Sequence, residues 1–198
     1  MRDAPPPPLD RQGIGRFAAG LASVIGRSFS FAVIAELVRA AARELGASGV
    51  KTPDVILTGS ALGAGTPGPI AIAFDAAGHL WTTIGFSNKV LRFGASQLAT
   101  SGAPTPEVEL TGLGDVAGLA FDAAGNLWVG DSTSGAPRVH KVAAASLGGS
   151  GAVSPVTSID AKDTSPVISF TGPSGLAFDA VGNLWVAYGT SGVVVRLT

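Results

Sequence analysis

The side chains in this sequence that could do chemistry are few. Cysteine is absent, which removes disulfides, thiolate metal ligands and thiol nucleophiles. Two histidines are present, His79 in a turn and His140 in a strand, and neither has an acidic or histidine neighbour at ligand spacing. Both are read as structural positions rather than acid–base or metal groups. Asp75, Asp122 and Asp179 resemble the paired carboxylates of an acid–base site, but each stands at the same place in the same turn, which assigns them to structure. Asp160, Lys162 and Asp163 form a small polar cluster read as a solvated loop. Gly63-Ala-Gly65-Thr-Pro-Gly68 matches a dinucleotide glycine pattern; Pro69 and a strand follow it, not a helix whose N-terminus could hold a pyrophosphate. No catalytic, cofactor-binding or metal-binding residue is assigned, and no cofactor is expected.

The elements that would position any site are far clearer. One phrase occurs three times: Ile72-Ala-Phe-Asp-Ala-Ala-Gly-His-Leu-Trp81, Leu119-Ala-Phe-Asp-Ala-Ala-Gly-Asn-Leu-Trp128 and Leu176-Ala-Phe-Asp-Ala-Val-Gly-Asn-Leu-Trp185. Its tryptophans lie 47 and 57 residues apart, a period that signals a repeat array. Short strand-like segments at Asp54–Thr58, Glu107–Thr111 and Val167–Thr171 precede the copies, so the unit is longer than the phrase. One unit reads strand (70 to 74), turn, strand (80 to 84), loop, strand (89 to 93), an Ala/Ser/Gly-rich connection, and a fourth strand at 107 to 111. Four antiparallel strands of this length make a propeller blade.

The residue types fit that reading. Ile70-Ala-Ile-Ala-Phe74 lacks the polar alternation of a half-exposed strand, as a strand packed on both faces should. Ala73, Ala120 and Ala177 suit the crowded axis, Phe74, Phe121 and Phe178 the wider gap between blades, and the three tryptophans the main apolar anchors. The aspartates can accept backbone N–H groups within the turn, and Gly78, Gly125 and Gly182 supply its positive φ.

Composition agrees. Of 198 residues 46% are hydrophobic and 14% charged, while 28 glycines and 13 prolines punctuate many short elements, an all-β profile. Residues 1–51 carry seven Lys/Arg against four Asp/Glu and the remainder six against ten, for a net charge of −1; neither part has the basic face that binding nucleic acid requires. Pro5–Pro8 is a short polyproline stretch, residues 16–25 a weak helix, and residues 30–45 an amphipathic helix with Ser30 as N-cap and Gly46 as its end. The longest uncharged runs, 17–26 and 28–35, are too short to span a membrane, and charges at Arg16, Arg27, Glu36 and Arg39 interrupt any signal peptide. The organisation expected is a Pro-rich and helical extension over 1–51, then repeats over 52–198 with blades near 70–111, 117–171 and 174–198.

The phrase Gly118-Leu-Ala-Phe-Asp122 followed by Gly125-Asn-Leu-Trp-Val129 resembles the NHL-repeat β-propellers, and more loosely the gluconolactonase-like and streptogramin-lyase-like propellers; the resemblance covers residues 53–198. It implies an all-β partial propeller of three four-stranded blades and an extracytoplasmic home. The NHL pattern continues with an aspartate where Asp131 stands, but Ile84 and Tyr188 occupy the other two places, and His79 replaces Asn126 and Asn183. Three blades are too few to close a ring, and the sequence stops at Thr198 after a third strand, so two copies assembling into one ring, or a fragment whose N-terminus replaces blades, are both expected outcomes.

Gluconolactonase-like relatives hold a metal with acidic and amide side chains over the central channel, and streptogramin-lyase-like ones use a histidine-containing site; neither set maps onto this chain. Propellers place sites on the loops at the blade tops, here including Asp115, Asp131 and Ser132. The function expected is a non-enzymatic repeat module that presents those loops to a protein, glycan or small ligand. The alternatives are a metal-dependent lactonase or lyase of the resembled class, and a truncated, nonfunctional fragment.

Overall fold

A computed structural model of the chain describes residues 52–63, 68–85, 87–160 and 172–198. The expected helices and polyproline stretch of residues 1–51, Gly65, Lys162, Asp163 and the segment 167–171 lie outside those residues. Among the described residues there are twelve short strands, β1 (Pro69–Phe74), β2 (Leu80–Ile84), β3 (Lys89–Phe93), β4 (Val108–Thr111), β5 (Val116–Phe121), β6 (Leu127–Asp131), β7 (Arg138–Val142), β8 (Gly151–Ala152), β9 (Thr157–Ile159), β10 (Pro173–Phe178), β11 (Leu184–Tyr188) and β12 (Val193–Leu197), and four single turns of 3-10 helix. Among the described residues no helix is long and apolar enough to cross a membrane.

The strands form three sheets, each beginning as an antiparallel meander at one copy of the phrase. Their orders are β1-β2-β3-β4-β8, β5-β6-β7-β9 and β10-β11-β12. Within each sheet the phrase folds identically: Ala73 pairs with Trp81, Ala120 with Trp128 and Ala177 with Trp185. The first strands of consecutive sheets lie against each other, β1 on β5 and β5 on β10, so the sheets pack face to face around their innermost strands. That is a partial β-propeller of three blades.

Two strands differ from expectation. The fourth place in the second blade is taken by β9, and the intervening Gly151–Ala152 crosses to run parallel with β4 of the first blade (Leu110 opposite Gly151), a stitch between neighbours. The segment 54–58 forms no strand; it makes a single parallel bridge, Leu57 to Gly102.

The repeated turn explains the phrase. Each aspartate Oδ1 accepts two amides of its own turn: Ala77 and His79 on Asp75, Ala124 and Asn126 on Asp122, Val181 and Asn183 on Asp179, at 2.9–3.1 Å. Each Oδ2 accepts the indole N–H of the tryptophan six residues on, at 2.9–3.0 Å. The side chain four residues on also donates to Oδ2, Asn126 at 2.9 Å and Asn183 at 2.8 Å. His79 makes the same bond through Nδ1 at 2.8 Å, so it has an acidic neighbour after all, and it does the asparagine's work. Gly78, Gly125 and Gly182 have φ of 81°, 78° and 90°, in the left-handed region that the turn requires.

The carboxyls respond to these donors. At Asp179 the Asn183 amide and the Trp185 indole hold the pKa down to about 2. Burial by itself would raise Asp75 and Asp122, but the indole and the donors four residues on outweigh it and leave both below the usual range.

The tryptophans are not equal anchors, because the aromatic cover on Trp81 and Trp128 comes from the next sheet. The Trp81 ring meets the edge of Phe121, and Trp128 that of Phe178, with centroids 5.8 Å apart in both pairs. Trp81 is 1% exposed, Trp128 is half-buried, and Trp185 is 40% exposed. A cation covers each of the first two indoles from the neighbouring strand, Arg92 at 5.7 Å and Lys141 at 5.2 Å from the ring centroid.

Two outcomes test this account. Gly125→Val forces a β-branched residue into the left-handed region and should cost about 1–2 kcal/mol, lowering Tm by roughly 2–8 °C. A carboxyl held below its free pKa stabilises the fold above the free value and loses that contribution as pH falls. Stability should therefore decline from about pH 4 toward pH 2, the interval between the free value of 3.8 and about 2 at Asp179. Asp122→Asn, measured by denaturant unfolding across that interval, should flatten the slope.

Candidate ligand-binding site

At one end of the blades the first strands begin and the second strands finish, and there the sequence departs most from its repeat. The β5 strand opens at Val116, opposite Asp131, the last residue of β6. Asp131 is buried where its counterparts are Ile84 and Tyr188. A buried carboxylate needs donors, and four converge on it: the Asp115 amide at 2.9 Å, the Thr133 amide at 2.9 Å, the Thr133 hydroxyl at 2.5 Å, and His140 Nε2 at 3.2 Å. Burial would raise its pKa; the Thr133 hydroxyl and amide, His140 and the Asp115 amide together bring it below the usual range. Gly114, with φ of 77°, allows the approach, since any side chain there would run into the Asp131 carboxylate.

An ionised Asp131 only accepts, so His140 Nε2 donates to it, and the other ring nitrogen, Nδ1, bonds the Ser158 hydroxyl at 2.8 Å. His140, like His79, thus has a carboxylate partner that sequence spacing did not reveal; strand pairing of β6, β7 and β9 creates it. Asp131, His140 and Ser158 have the residue types of a nucleophilic relay. Ser158 lies on the outer strand β9 and does not line the cavity described next, and the relay braces the start of the loop that follows β6.

That loop forms one wall of a cavity of about 570 Å³. Hydroxyls line it at Ser132, Thr133, Ser134, Ser174 and Thr190. Ile70, Val116, Ala117 and Pro137 give it apolar surface, and among the described residues Asp115 is the only charged side chain on its wall. Asp115 also borders a shallower hollow of about 390 Å³ with Ser87, Asn88 and Gly114. Of the blade-top residues named from sequence, Asp115 and Ser132 reach the cavity and Asp131 supports it from behind. Asp160 is not on the wall; its charge raises the Tyr188 hydroxyl pKa, after the larger effect of burial.

Among the described residues no three His, Asp or Glu side chains are placed to share a metal ion. A single wall carboxylate does not fit the acidic and amide donor set that the gluconolactonase resemblance implies.

The prediction from this geometry is that Asp131→Ala leaves the Asp115 and Thr133 amides without their acceptor and costs on the order of 2–3 kcal/mol. The Thr133 amide should exchange hydrogen faster than the amides of β6, measured residue by residue.

No protein-family model matches the sequence, and no curated protein does. Similar solved structures include a streptogramin B lyase (17% identity, 67% of this chain and 39% of that one, TM-score 0.47). They also include virginiamycin B lyase from Staphylococcus aureus (17%, 69% and 40%, 0.43) and a protein assigned as a gluconolactonase (20%, 66% and 44%, 0.43). The chain therefore spans about two fifths of the length of the solved structures to which it is similar.

Proposed function

We propose that this chain is a binding module whose blade-end loops hold a small, neutral, hydroxyl-bearing ligand of about monosaccharide size. The supporting observation is the composition of the cavity wall: hydroxyls and short apolar side chains around a volume of about 570 Å³, within the roughly 300–1,000 Å³ usual for small-molecule sites. Such a wall gives shape and hydrogen bonds with little charge. Asp131 and His140, the pair best equipped for acid–base work, spend their hydrogen bonds on the scaffold. A lactonase or lyase reading would place the chemistry on Asp115.

The test is a ligand-observed NMR screen of a neutral monosaccharide panel against the full chain and Ser134→Trp, whose indole replaces an exposed hydroxyl at the cavity wall. Binding to the native chain that is reduced at least about tenfold, or ~1.4 kcal/mol, in Ser134→Trp supports the reading. Hydrolysis of an aldonolactone in the presence of calcium or zinc, abolished by Asp115→Asn, would replace it with the enzymatic one.

A further inference from the structure

The two outer faces of the blade array are halves of the contact that joins its blades internally. On the first blade, Ile72 and Phe74 point outward from β1, and Phe74 is 58% exposed. Phe74 occupies the place of Phe121 and Phe178, each of which covers the tryptophan of the preceding blade. On the third blade, Trp185 and Val194 are the exposed pair. They stand in register where Trp81 and Val90 are buried in the first blade. One face lacks a tryptophan to cover, and the other a phenylalanine to be covered by.

The backbone shows the same complementarity. In the second blade's neighbour, β4 is held by a parallel bridge from Leu110 to Gly151, with the Glu109 amide donating to Ser150 Oγ at 3.0 Å. Residues 55–58 repeat this on the far side of the first blade: Leu57 bridges Gly102 in parallel, and the Ile56 amide donates to Ser101 Oγ at 2.9 Å. The segment therefore sits as the fourth strand of a blade that would precede the first. The third blade has three strands, with β12 at its edge, among the described residues.

We propose that two copies of this chain close one ring, in which residues 55–58 of each add to β12 of the other and Phe74 of each covers Trp185 of the other. By the β3–β4 register, Val194 would face Leu57 and Val195 would face Ile56 across the copies. Two sets of three blades fall within the roughly four to eight that close a propeller. The contact is head-to-tail and occurs twice, so the ring satisfies both faces of each copy.

Sedimentation velocity of the full chain should give a species of twice 19.6 kDa. Phe74→Asp and Trp185→Asp should each shift it to monomer, and mixing the two variants should restore a dimer, because one native contact survives in the mixed pair. Phe74→Ser and Trp185→Ser serve in the same mixing experiment if either aspartate lowers Tm. Because the chain has no cysteine, Ile56→Cys combined with Val195→Cys should oxidise to an intermolecular disulfide. A monomeric native chain, a dimer that survives Phe74→Asp, or a double-cysteine variant that does not cross-link would each overturn the proposal.

Discussion

The contact on which the array depends is the indole of one blade held in place by its own turn and covered by the next blade. A tryptophan has a large apolar surface and a single N–H that must be satisfied when buried. Here the turn aspartate accepts that N–H, which fixes the ring upright on the blade, at 2.9 Å for Trp81 and 3.0 Å for Trp128. Phe121 and Phe178 then meet a ring whose orientation is already set. The turn and the interblade contact are one unit, since loosening the carboxylate frees the indole and disturbs the neighbouring blade.

Around this contact the interior is divided by blade rather than pooled in one core. One cluster joins the first two blades through Trp81, Val90, Leu119, Leu127 and Val129, with Phe121 against it. A second joins the last two through Val139, Leu184, Val186 and Tyr188, with Trp128 and Phe178. The second and third blades approach closely where Gly130 meets the Pro173 backbone and Gly118 that of Ser174 and Gly175; side chains at either place would collide. The stability of such an array is near to a sum over neighbours, which leaves the loops at its end free to vary.

Much of this was legible in the residues. The turn residues are read from sequence because their partners lie within six positions: Asp122, Gly125, Asn126 and Trp128 all bond or bend locally. The strands of the phrase follow for the same reason. The parallel stitch at Gly151–Ala152 was not legible, since two small residues carry no strand pattern and only the neighbouring β4 edge gives them one. The cation over each indole was equally hidden; Arg92 and Lys141 stand 11 and 13 residues from their tryptophans and meet them only across paired strands.

The sequence by itself determined the unit: a repeated turn whose short-range hydrogen bonds and glycine geometry are satisfied without reference to the rest of the chain. It also marked Asp115, Asp131 and Ser132 as loop residues at blade ends. Tertiary structure decided their division of labour, bringing His140 of β7 and the Asp115 amide of the turn before β5 to Asp131 and so turning one aspartate inward as a brace and leaving another on the cavity wall. The physical reason is distance along the chain. A bond closed within a turn is encoded in a few adjacent residues, whereas burial and the meeting of charged groups depend on which sheet packs against which, and identical phrases acquire different surroundings from different neighbours.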